Sequence, residues 1–277
     1  MRATLHIEAA LKNGKTYLSN CFFTTPFKVA NITEDRSKEE LHLMLMTSSP
    51  GILDGDEFHM KIQLDQNAAL HLKTQSYQRL FQMKKGASQS IEVRMNKGSS
   101  FCYLPQPTVP HKDSNFVANN NIYLSHNCMF IWGELLTCGR ILNGEEFAFS
   151  KFSSTTKIFL NNRLVVKENL LIEPAKIKVH AIGQLEGYTH QASLIFINVA
   201  ADIKSIIKYV VDTLNQQKEI CFGVSSLPVN GIIIRILGFK AEQLYSCLKN
   251  IANHLSGINN NDAESLGRKE KEIIYAN

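Results

Sequence analysis

Over roughly the first 190 residues, apolar side chains recur at every second position in short runs that end in Asn, Gly, Asp or Ser. Phe58, Met60, Ile62 and Leu64 alternate with polar neighbours, as do Leu70 and Leu72, then Ile91, Val93 and Met95, then Phe101 and Tyr103. A period of two with frequent turns specifies strands. Three of these stretches also resemble one another. Each has an apolar-x-apolar strand end, a turn on Asn67, Gly98 or Asn127, and a second apolar-x-apolar strand. Asn and Gly tolerate the backbone angles a tight turn needs. The three units start at Ile62, Val93 and Ile122. Stacked hairpin-like units of about 30 residues fit a layered or helical β architecture. An ordinary meander gives the same spacing, so spacing alone leaves both open.

The texture changes after residue 190. Leu194 to Val199 is a continuous apolar run and predicts a strand. Asp202 stands where it caps a helix bearing Ile203, Ile206, Ile207, Val210 and Leu214 on one stripe. Two strand-like runs follow, Ile220 to Val224 and Gly231 to Leu237. A second amphipathic helix then carries Ala241, Leu244, Leu248, Ile251 and Leu255 and stops at Gly257. No linker separates the textures. The expected fold is mostly β: one domain over 1–277, with a layered, helically wound β body (1–190), a strand and helix part with two α-helices (191–258) and a flexible tail (259–277).

Composition narrows the function. With 277 residues and 44% hydrophobic content the chain can bury a sizeable core, and disorder is excluded. A net charge of +5, spread along the chain apart from Arg268, Lys269 and Lys271, gives no dense basic face for nucleic acid. The start of the sequence does not read as a signal peptide, and Leu194 to Ala201 is too short to span a bilayer. A cytoplasmic, membrane-free protein is expected. Six cysteines without a C-x-x-C pair argue against a zinc site or a disulfide scaffold and read as mostly buried thiols.

No catalytic motif stands out: there is no G-x-S-x-G, H-E-x-x-H, P-loop or dinucleotide fingerprint. A non-enzyme is expected. The Ser49–Asp56 stretch lacks the Lys-Ser/Thr of a phosphate loop and reads as turns leading to the strand at Phe58. None of the nine histidines has a partner at ligand spacing along the sequence. Most therefore read as solvent-facing strand positions, His59 and His71 among them. Single carboxylates within apolar strands, Asp56, Glu134 and Glu168, are more informative, because burial is costly for a carboxylate without partners. Pairing with Arg140 or Arg163, or simple exposure, is the bland alternative.

Six segments together resemble the UreD/UreH family of urease accessory proteins: Asn20 to Lys28, Ser49 to Asp56, Leu70 to Ser76, Tyr103 to Thr108, Glu134 to Phe147 and Glu186 to His190. Each alone is weak; their order and separations are specific. The resemblance implies a scaffold or chaperone for nickel insertion. It binds UreF, recruits UreG through UreF, and docks the assembly on the urease apoprotein. It also implies an internal, water-filled passage for transient Ni²⁺, with no permanently bound cofactor and no fixed metal site. By motif position, the passage residues fall on Asp56, Glu134 and Glu168, supported by Gly55, Arg140 and Glu145. Isolated oxygen ligands suit a conduit, which must attract a divalent ion and release it. The partner face is expected on the C-terminal helices and late strands. Two rivals remain: a β-helical, polysaccharide-active enzyme and a metal-free β-sheet binding module.

Overall fold

In this computed structural model the residues described are 1–34 and 39–257. The expected tail and its basic cluster lie outside them. Strands are numbered along the chain. The first sheet has a parallel centre of β1 (Arg2–Lys12), β5 (Glu57–Leu64), β8 (Ala87–Met95), β11 (Asn115–Leu124) and β13 (Lys151–Leu160). Its edges, β2 (Lys15–Phe23) and β14 (Arg163–Ile172), are antiparallel. The second sheet has a parallel centre of β4 (Leu41–Thr47), β6 (Ala69–Thr74), β9 (Ser100–Leu104) and β12 (Met129–Thr137). β3 (Phe27–Asn31) pairs antiparallel with β4. At the other side, β15 (His190–Asn198), β17 (Gly231–Gly238) and β16 (Ile220–Ser226) continue antiparallel.

The internal repeat explains this topology. Ile62, Val93 and Ile122 are direct register partners in the first sheet, and Leu70, Phe101 and Phe130 are register partners in the second. Each repeat is therefore one turn of a winding chain. It crosses from the first sheet to the second at Asn67, Gly98 or Asn127, with φ of 58°, 72° and 57°. This corrects the hairpin expectation: the two strands flanking each corner lie in different sheets and pair with the next turn of chain. The corners stack as well, with the Asn67 N–H donating to the Lys97 carbonyl and the Gly98 N–H to that of His126. Short strands β7 (Gln78–Leu80) and β10 (Thr108–Pro110) pair with each other on the return path to the first sheet.

Two apolar cores result. The larger lies between the sheets and holds Leu5, Leu43, Ile62, Val93 and Phe130. The second lies between the outer face of the second sheet and the two helices. Helix α1 (Ile203–Asn215) begins as predicted, with Asp202 accepting from the Lys204 and Ser205 N–H groups. Helix α2 (Ala241–Ser256) packs Leu244, Leu248 and Ile251 on Ile131, Leu194 and Phe196. Strand β12 serves both cores by alternation: Phe130, Trp132 and Leu136 face the first sheet, and Ile131 and Leu135 face the helices. Glu134 shares the inward phase.

Candidate functional site

Glu134 stands where an apolar residue is otherwise required, between the sheets. Its carboxylate accepts from Trp132 Nε1 at 3.2 Å, Asn120 Nδ2 at 3.1 Å, Ser154 Oγ at 3.1 Å and Thr156 Oγ1 at 3.3 Å. Asn120 comes from β11 and the two hydroxyls from β13, so one carboxylate ties the two sheets together. Burial raises the Glu134 pKa. The Trp132, Ser154 and Thr156 hydrogen bonds oppose that shift, and the Glu168 charge adds to it. Asn120 Oδ1 is buried without a hydrogen-bond partner, an acceptor left over in a polar interior.

Glu134, Trp132, Asn120 and Ser154 border a cavity of about 60 Å³, which also reaches Tyr103, Gln89, Gln106 and Glu168. That is room for several waters. A second cavity, of about 70 Å³, shares Gln78, Gln89, Tyr103, Pro105 and Gln106 with the first and runs to Ser49, Gly51 and Ser76. A third, of about 430 Å³, shares Glu168, Leu170 and Gln191 with the first and reaches Cys221 and Arg235. Burial also pushes the Tyr103 phenol up, with a further rise from the Glu134 charge, so it remains a neutral hydroxyl.

Of the three carboxylates picked from the sequence, Glu134 and Glu168 border one cavity and Asp56 does not. Glu168 pairs with Arg235 of β17, Nη2 to Oε2 at 2.6 Å, and not with Arg140 or Arg163. Asp56 is buried one pleat before Phe58, which lines the second cavity. Its oxygens are taken by the Met1 amine at 2.8 Å and the Leu53 N–H at 2.8 Å. Gly55 supplies the turn, with φ of 77°. Arg140 and Glu145 pair with each other in the loop after β12, the Arg140 Nε at 2.8 Å from Oε2. The guanidinium lowers the Glu145 pKa to about 2, and the Lys112 N–H adds to that. This pair closes a loop and lines none of the three cavities. The turn from Glu186 leads into β15, where burial holds the His190 ring neutral, its pKa lowered to about 4. Four cysteines are buried thiols, Cys21 is half-buried and Cys221 is exposed.

The sequence profile described as UreD urease accessory protein matches residues 1–268. A urease accessory protein UreD from Flavobacterium johnsoniae is 45% identical over 252 residues, 91% of each chain. Namesakes from Actinobacillus pleuropneumoniae and Acetivibrio thermocellus are each 35% identical, covering 89% and 91% of this chain and 94% and 96% of their own. The chain belongs to the UreD family of urease accessory proteins. Membership supports a role in urease maturation, and the relatives' names are those of accessory factors, not of enzymes. Among the described residues no helix is long and apolar enough to cross a membrane.

In this UreD-family chain the polar lining beyond Glu134 escaped the sequence reading, yet it left a trace. Phe152 and Ile158 fix the inward phase of β13, and that phase places Ser154 and Thr156 inside. Phe116 and Ile122 do the same for Asn120 on β11. A polar residue in the buried phase of a strand was the available signal. The histidines also departed from expectation: His71, His111 and His190 are buried. Parallel register puts His71 beside His42, a neighbour that spacing along one strand does not reveal.

Proposed function

We propose that this protein passes Ni²⁺ through its interior toward apo-urease while held in a cytoplasmic complex with UreF and, through UreF, with UreG. The observation that carries this reading is the Glu134 cavity, which shares walls with a second cavity on one side and a third on the other. Its lining is chemically suited to transit. Oxygen donors at Glu134, Asn120, Ser154, Tyr103 and Gln89 bind a divalent ion more weakly than a convergent thiolate or imidazole cage does. The unpaired Asn120 oxygen offers a neutral ligand beside the Glu134 carboxylate. Burial makes the bare Glu134 charge costly, so a cation beside it is favoured without needing a full ligand cage. At the larger cavity Arg235 holds Glu168, so an ion passing there competes with a guanidinium for that carboxylate. Asp56, which precedes Phe58 of the second cavity, accepts from the Met1 amine and the Leu53 N–H, so an ion reaching it would have to displace one of these donors.

Nothing favours the polymer-active alternative: the relatives' printed names are those of accessory proteins. Urease activation with purified components tests the proposal. Glu134→Gln is expected to retain co-purification with UreF and UreG but to slow activation at limiting nickel by at least about tenfold, the scale of an outer-sphere metal defect. Full activation by both Glu134→Gln and Glu168→Gln would end the conduit reading.

A further inference from the structure

On the face of the second sheet turned away from the passage, the fold assembles a second polar group from residues distant in sequence. His42 of β4 and His71 of β6 are register partners on adjacent parallel strands. Their rings stack with centroids 4.6 Å apart and planes 13° from parallel. Glu40, just ahead of β4, brings its Oε2 to 3.5 Å from His42 Nε2 and 3.1 Å from His71 Nε2. One ligand atom from each of the three lies within 4.8 Å of the other two. His71 is only 8% exposed. Its Nε2 meets the Glu40 carboxylate at 3.1 Å, an ion pair when the ring is charged. A cation held between them would take the place of that proton. The face orientation is fixed by alternation: Leu70 and Leu72, on either side of His71, point into the core between the sheets. The next residue in the row, Cys102, is packed in the second core beneath the helices.

We propose that Glu40, His42 and His71 form a surface site for a late first-row divalent ion such as Ni²⁺ or Zn²⁺. Two imidazoles and one carboxylate suit these ions. Three protein ligands leave a position for water or a donor from another molecule, so the site is built for exchange more than for structural closure. Metal–nitrogen bonds of about 2.0–2.1 Å lie in the imidazole plane, so loading draws the nitrogens together and tilts the rings out of their stack. The site rests on its own geometry and does not depend on the interior passage.

The test is titration of the full-length chain with Co²⁺, followed by visible absorption, and with Ni²⁺ and Zn²⁺, followed by calorimetry. The expected result is one equivalent with a nitrogen and oxygen ligand-field spectrum. His42→Gln and Glu40→Gln are each expected to weaken it by more than the roughly tenfold loss typical of outer-shell changes. Both side chains are partly exposed, so these variants keep the fold and carry the test should His71→Gln not fold. Glu134→Gln should leave this equivalent untouched. Unchanged stoichiometry and spectrum in a folded His42→Gln/Glu40→Gln chain, or loss of the equivalent in Glu134→Gln alone, would overturn the site. Urease activation by the Glu134 variant reads different residues, so either idea can fail without the other.

Discussion

Glu134 is stabilised by four neighbours and penalised by its surroundings at once, and the penalty depends on pH. Burial holds its carboxyl above the ordinary value of 4.5. As pH rises past that value the unfolded chain releases this proton first, and the folded chain follows only at its own higher pKa. Between the two, the unfolded state binds fewer protons, so native stability attributable to this group falls as pH rises. Glu134→Gln removes the titration. The melting temperature of the variant minus that of the parent should therefore increase from about pH 4 upward and level off once Glu134 ionises in the fold. Thermal melts across that range check it; a difference independent of pH would show that the carboxyl is not raised. At this scale the sequence exposed the anomaly at Glu134, because a lone acid interrupts a run of large apolar residues. It concealed the partners. Arg235 reaches Glu168 across 67 positions, and His42 meets His71 only through strand register, which no local spacing encodes.

Among the elements, the corners are the most exacting. Gly98 has φ of 72°, and a Cβ there would lie 2.1 Å from Asn67 Oδ1, the equivalent corner one turn of chain earlier. Gly98→Ala combines an unfavourable backbone angle with that contact and should cost about 1–3 kcal/mol in denaturant unfolding. The Asn67 side chain can swing away, so the backbone angle sets the lower part of the range. Asn127→Gly keeps the same left-handed geometry and should shift stability by no more than about 0.5 kcal/mol. A cost for Gly98→Ala no larger than that of Asn127→Gly would mean the corner is not constrained. The elements themselves were largely legible. Both helices follow their apolar stripes, α1 starts at its Asp202 cap, and the period-two strands occur where alternation is cleanest. Pairing was not legible from alternation, since a hairpin and a sheet-to-sheet corner demand the same left-handed turn residues. The repeat held that information only in the equivalence of its positions. Strands β7 and β10, each three residues long, are too short to show a period.

For the molecule as a whole, the second sheet is the structural divider: the Glu134 cavity lies on one side of it and the helices on the other. Removing everything from residue 200 onward would strip α1, α2, β16 and β17 and bare Ile131, Leu194 and Phe196. Loss of UreF binding in such a truncation would then report misfolding as readily as a missing docking face. Substitutions of outward side chains on α1 and α2, such as Lys208 and Lys249, give a cleaner test of whether a partner docks there. The winding itself has a dynamic consequence. Strands β8 and β9 each lie between two parallel neighbours, whereas β2, β3, β14 and β16 have a neighbour on one side only. An amide in β8 or β9 is released to water only when at least one whole turn of chain is peeled off, and the edge strands can fray alone. In deuterium, then, the centre of both sheets should keep its protons until global unfolding while the margins surrender theirs early, so Gln89 and Tyr103 beside the Glu134 cavity would exchange last and Glu168 on β14 early.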